Sequence, residues 1–240
     1  MEEERFYRRL HDSGDLVHFN VKVGETDLDI GARKILLEEA LELVRKYRRK
    51  IEDYIKESPA FLTSLKPLSC GLKAPPIIKD MCLAAEKAGV GPMAAVAGAI
   101  SQYVGQGLLT FTREIIVENG GDIFIKSNRD RIIGVYAGES PLSGKVGIKI
   151  KGEDCPMGVC TSSGKVGHSL SFGRADAAVI LAPDTILADA VATATCNLVK
   201  SADDIQYAVD FAKGNEGVTG VLVIIGDRLG AWGKIELVSL

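Results

Sequence analysis

The chain has 240 residues, 46% of them apolar, and a formal net charge of −3 at pH 7. This is enough apolar sequence for one sizeable core, and the lack of a basic excess argues against nucleic acid or an acidic membrane surface as a partner. The charged start MEEERFYRRL is no secretory leader, and no apolar run reaches the roughly 18 residues of a membrane span, so a cytoplasmic protein without a membrane partner is expected.

Taken in order, residues 4–10 predict a first strand and Leu16 to Val23 a second, with Thr26 to Ile30 returning as its hairpin partner. From Ala32 to Lys56, apolar residues including Leu36, Leu43, Val44, Tyr47, Ile51 and Tyr54 recur at helical spacing. The prolines at 59, 67, 75 and 76 break the next stretch into irregular pieces with one helical turn. Ile77 to Ala88 reads as a helix ended by Gly89, and Pro92 opens another over Met93 to Leu108, uncharged and rich in Ala and Gly, which must be buried. Strands are predicted at Glu114 to Glu118, Ile123 to Lys126, Arg131 to Ala137 and Val146 to Lys151. Gly158 to Thr161 and Ala177 to Leu181 suit central strands. Helices follow from Asp184 or Thr185 to Val199 and from Ser201 to Lys213, then strands at Val218 to Ile225 and Gly233 to Val238. The sum is an α/β (α+β) fold with a mixed sheet and long buried helices. It is expected as a single domain over residues 1–240, or two intimately packed α/β halves, with N-terminal strands within 1–30.

Several residues have chemistry to offer. Asp189 and Thr193, four apart, share one helix face, and a carboxylate with a hydroxyl is a partial ligand set for Mg²⁺. The plain alternative is a buried aspartate bonded to a neighbouring loop. Thr161, Ser162, Ser163 and Gly164 form a small polar loop whose N–H groups suit an anion, or simply a Ser-rich turn. His168, close after it, is the general acid or base candidate. Gly120, Gly121 and Asp122 lie in a turn between strands. Cys160 is a nucleophile only if its thiol is activated, and otherwise an inert core residue. Five scattered cysteines with no C-x-x-C pair argue against both a disulfide framework and a structural zinc site.

The segments GPMAAVAGAI (91–100), ENGGDIFI (118–125), CTSSGKVGHSLSFGRADA (160–177) and ADAVATATCN (188–197) together resemble the short branch of the ApbE-like superfamily. The resemblance runs from about Gly31 to the end and implies the compact, T-fold-like domain of that superfamily. Its better-known members are flavin transferases that bind FAD and Mg²⁺ and move FMN onto a protein threonine. Their metal ligands come from a D-A-x-x-T-A helix motif and from backbone at a T-S-G loop. Asp189, Thr193 and residues 158–161 match these elements, and Gly120-Gly121 matches the glycine segment lining the flavin cleft. The longer segment that ends in the transferases' histidine signature is absent, and KVGHSLSFGRAD stands in its place with His168. The short branch is associated with sulfur assimilation for homocysteine and cysteine synthesis, which implies handling of sulfide or persulfide, with Cys160 or another thiol carrying sulfane sulfur. Three readings stay open: sulfur or persulfide handling with a sulfur donor or a partner sulfur-metabolism protein, Mg²⁺-dependent FAD, FMN or nucleotide transfer, and a non-catalytic protein that binds a small-molecule ligand in the old cleft. A homodimer is the expectation for a protein of this size.

Overall fold

The computed structural model describes residues 14–164 and 173–240. The strand expected at 4–10 lies outside them. The described chain builds three layers: a row of helices, an eight-stranded sheet and a three-stranded sheet.

The large sheet is made of β1 (Val17–Val23), β2 (Thr26–Ala32), β3 (Ile115–Asn119), β4 (Asp122–Lys126), β7 (Met157–Ser162), β8 (Ala177–Ala182), β9 (Gly220–Ile225) and β10 (Arg228–Gly233), in that spatial order. The small sheet holds β5 (Arg131–Gly134) and β6 (Val146–Ile150), with β11 (Glu236–Ser239) on the outer side of β6. Every pairing in both sheets is antiparallel. The α/β class stands, but the sheet is not mixed. The helices do not form crossovers between parallel neighbours; they occur between antiparallel partners such as β2 and β3, and β8 and β9.

Period-2 alternation divides each central strand between two cores. In β8, Ala178, Ile180 and Ala182 face the helices, and Ala177, Val179 and Leu181 face the small sheet. In β7, Cys160 faces the helices while Met157 and Val159 join Ile133, Ile148 and Ile150 below. Burial on both faces explains the continuous apolar runs of β8 and β9.

The helix layer comprises α1 (Leu37–Glu57), the single turn α2 (Ala60–Thr63), α3 (Pro76–Ala88), α4 (Val96–Leu108), α5 (Thr185–Leu198) and α6 (Ile205–Lys213). α1 begins five residues later than its periodicity suggests because β2 runs on to Ala32, which pairs with Ile115. A 3-10 turn at Pro92–Ala95 precedes α4. Gly89 ends α3 with φ +72°, a left-handed cap that suits glycine. The helical start expected at Ser201 carries a capping box, Ser201 and Asp204 bonding each other's backbone N–H. β10 escapes sequence reading because RLGAWG is half exposed and broken by glycines. The strand expected from Gly233 begins instead at Glu236.

α4 and α5 pack unusually close to each other and to the sheet. A Cβ on Gly98 would lie 2.6 Å from the Thr185 carbonyl oxygen and 2.7 Å from Asp189 Cβ. One on Gly105 would strike the Phe124 ring, and one on Gly158 would sit 2.5 Å from Thr185 Cα. The small residues seen in the sequence are where helices and strands nearly touch.

Candidate functional site

Three pieces of chain meet where the β3–β4 hairpin approaches the start of α4 and the middle of α5. The hairpin turn is Gly120-Gly121, between the paired residues Asn119 and Asp122. Both glycines have positive φ, +68° and +104°, as a two-residue turn of this hand requires. The Glu118 carboxylate accepts the Gly121 N–H at 2.8 Å, and Asn119 Nδ2 donates to the Ala97 carbonyl at 3.2 Å. The hairpin is thereby tied to the first turn of α4.

Asp122 pairs in register with Cys160 on β7, which puts both side chains on the helix-facing side. From α5, Asp189 reaches across to α4 and accepts the Gly98 N–H at 2.7 Å. It caps the N-terminus of a helix it does not belong to, satisfying a donor that α4 cannot satisfy itself. α5 has its own cap: Asp184 Oδ1 accepts from Ile186 N at 2.9 Å and Leu187 N at 3.5 Å.

The electrostatics of this point are strained. Asp122 and Asp189 are both buried. Burial pushes the Asp189 carboxyl up to about 7, against the lowering effect of the Gly98 and Ala97 N–H groups. Burial, and then the charge of Asp189, push Asp122 well above the ordinary carboxylate range. Asp122 Oδ1 is buried with no hydrogen-bond partner. Cys160 is fully buried, its Sγ donates to the Thr185 carbonyl at 3.4 Å, and burial together with both aspartates drives its thiol well above normal. That is the opposite of an activated thiolate.

Asp122, Cys160 and Asp189 therefore converge, with Gly121 and Thr161 beside them: Thr161 N–H donates to the Gly121 carbonyl at 3.2 Å. Thr193 lies one turn along α5 and is half buried. The expected hydroxyl loop is differently built. Thr161 and Ser162 belong to β7, which pairs with β8 through Ser162 and Ala178, so only Ser163 and Gly164 lie beyond the strand. Alternation turns Thr161 and Ser162 to opposite faces, and the Gly164 N–H is spent on the Ala175 carbonyl. The N–H groups of Thr161 and Gly164 are thus already bonded to carbonyls. His168 lies outside the described residues. Sequence reasoning missed Glu118 and the α4 N-terminus. A hint was present in EIIVEN, where a charged and an amide residue end an apolar strand that has no solvent face.

A family model described as AbpE bacteria matches residues 8–216. The chain belongs to this ApbE-like family. A UPF0280 protein of Methanocaldococcus jannaschii is 44% identical over 206 residues, covering 83% of this chain and 84% of the relative. One from Methanopyrus kandleri is 41% identical over 228 residues, covering 92% of each. The ApbE protein of Thermotoga maritima superposes with a TM-score of 0.62 at 14% identity, over 90% of this chain and 96% of that one. The apo flavinyl transferase ApbE of Pseudomonas stutzeri gives 0.55 at 14% identity, over 91% and 94%. The ApbE-like fold is thus shared along nearly the whole chain. Among the described residues, no three His, Cys, Asp or Glu side chains form a metal cage, and no helix is long and apolar enough to cross a membrane.

Proposed function

We propose that this ApbE-like chain binds a flavin nucleotide together with a divalent cation at the Asp122–Asp189 site, and acts as a transferase on it. The observation that carries this reading is the pair of buried carboxylates, one with an oxygen that nothing satisfies. Two such groups at one buried point repel each other unless a proton or a cation lies between them. Carboxylate oxygens with a nearby hydroxyl suit Mg²⁺, which keeps waters and shares its shell with phosphate instead of needing a full protein cage. Asp189 and Asp122 would hold it, with Thr193 adding a hydroxyl. A bound cation would offset charge on a transferring phosphate. The protein's own part is positional. The α4 N-terminus fixes the Asp189 carboxylate. The Gly120-Gly121 turn exposes bare backbone to the ligand, since a Cβ on Gly120 would meet nothing within 4 Å.

The test is a titration of FAD, followed by flavin fluorescence, with Mg²⁺ and with chelator, in the native chain and in Asp122→Asn and Asp189→Asn. Binding that needs Mg²⁺ and is lost in Asp189→Asn is expected. Absence of Mg²⁺-dependent binding in the native chain sinks the proposal. Release of AMP from FAD in the presence of an acceptor peptide distinguishes a transferase from a protein that only binds. The sulfur reading has the weaker footing, because Cys160 is buried and its thiol is held protonated.

A further inference from the structure

The end of the large sheet opposite Asp122 carries a concave surface. β2 ends at Ala32 and β3 begins at Ile115, and these two residues pair. Arg33 and Lys34 leave the sheet on one side of that pair, and Phe111 to Glu114 enter it on the other. With Asn128, from the turn after β4, they frame a cavity of about 460 Å³. Pockets for small molecules run from roughly 300 to 1,000 Å³. The residues of β3 separate Glu114 on the cavity wall from Gly120 in the turn, roughly 20 Å at the usual rise per residue.

The wall is rigid and its charge is uneven. Glu114 is 2% exposed and takes up Arg33 Nη2 at 2.5 Å, Asn128 N at 2.9 Å and Arg131 Nη2 at 3.4 Å. Asp15 binds Arg33 at 2.9 Å, Arg129 at 3.1 Å and Arg131 at 2.6 Å. Those two carboxylates fix the guanidinium groups around them. Lys34 and Arg113 are exposed and have no ion-pair or hydrogen-bond partner among the described residues. Five cations thus gather around two carboxylates, on a chain whose net charge is −3. Phe111, on the same wall, is 49% exposed. An unpaired lysine and arginine on a wall stiffened by paired arginines form an anion receptor, and a half-exposed aromatic ring beside them offers a stacking face.

We propose that this cavity is a second ligand site, for a phosphorylated small molecule carrying a planar ring. Lys34 and Arg113 take the phosphates, and the ring lies on Phe111. The site is separate from the Asp122–Asp189 site and does not depend on a cation there.

Calorimetry with ATP and with tripolyphosphate as probes, in chelator, tests it. Native chain should bind both. The double variant Lys34→Ala/Arg113→Ala, two exposed positions whose loss should leave the circular dichroism spectrum unchanged, should weaken both by about tenfold or more, as loss of two charge-assisted bonds does. Phe111→Ala should weaken ATP and leave tripolyphosphate unchanged. Asp122→Asn should bind ATP as the native chain does. The proposal is overturned if the native chain binds neither probe, if affinity survives the double variant, if Phe111→Ala affects both probes equally, or if Asp122→Asn abolishes binding.

Discussion

Asp189 on α5 and Gly98 on α4 are joined by a 2.7 Å hydrogen bond across 91 residues of sequence, and the same contact leaves no space for a side chain at Gly98. A carboxylate that caps a foreign helix is fixed in both position and direction, and the candidate site needs both.

Gly98→Ala should destabilise the chain by roughly 1–3 kcal/mol, because the new methyl must displace the Thr185 carbonyl or Asp189. Urea unfolding reads this directly. Ala97 is only half buried, so Ala97→Leu should cost less. Equal and negligible losses at both positions would mean that α4 and α5 are not in the contact described.

The carboxylate pair makes stability depend on pH. Asp189 titrates near 7 in the folded chain and at its ordinary 3.8 when unfolded, so between these values the folded state holds the extra proton. Stability in chelator should therefore fall as pH rises from about 4 through 7 and flatten above. The slope is at most about 1.4 kcal/mol per pH unit for each such group. Asp122 shifts in the same direction, so it adds to the fall. Asp189→Asn should flatten the lower part of the curve. Melting temperatures across this range, which Mg²⁺ should raise most above pH 7, check the sign.

Cys160 should resist iodoacetamide in the native chain and react after unfolding, whereas the partly exposed Cys70 and Cys155 should label first. Peptide mass spectrometry resolves the three. Polysulfide, which passes a sulfane sulfur to a thiolate and leaves as the shortened polysulfide, should add no sulfur to Cys160; a persulfide found there in folded protein would restore the sulfur-carrying role.

Loss of the Asp184 cap should be modest. Asp184→Ala removes an exposed carboxylate that holds the first N–H groups of α5, and a cost of about 1 kcal/mol is expected. Thermal unfolding measures it, and FAD affinity should stay unchanged.

The helices and central strands were legible because their signals are local. Gly89 and Pro92 mark real boundaries, and the alternation in β8 and β9 is visible as unbroken apolar sequence. The Asp189/Thr193 spacing was legible too, as chemistry on one helix face. Its closest partner was not, since nothing near residue 189 points to the backbone of Gly98. Glu118 and Asn119 look like ordinary turn flanks until the sheet buries them. The strand direction was missed for a similar reason. Helices between strands suggest crossovers, and only the pairing registers reveal that each strand runs against its neighbours. The hydroxyl cluster misled because composition suggested a loop where β7 continues to Ser162.

The order of strands in the large sheet is the order in which they occur in the chain, with β5 and β6 set aside into the small sheet. During synthesis each strand can therefore join one advancing edge as it leaves the ribosome, without prising apart a pair already made. β9 arrives after α5 and α6 are complete, and β10 folds back on it at once through a short turn. Among the described strands, β11 does not join in this order: it returns to β6, so the small sheet gains its outer strand only after β10 has been made.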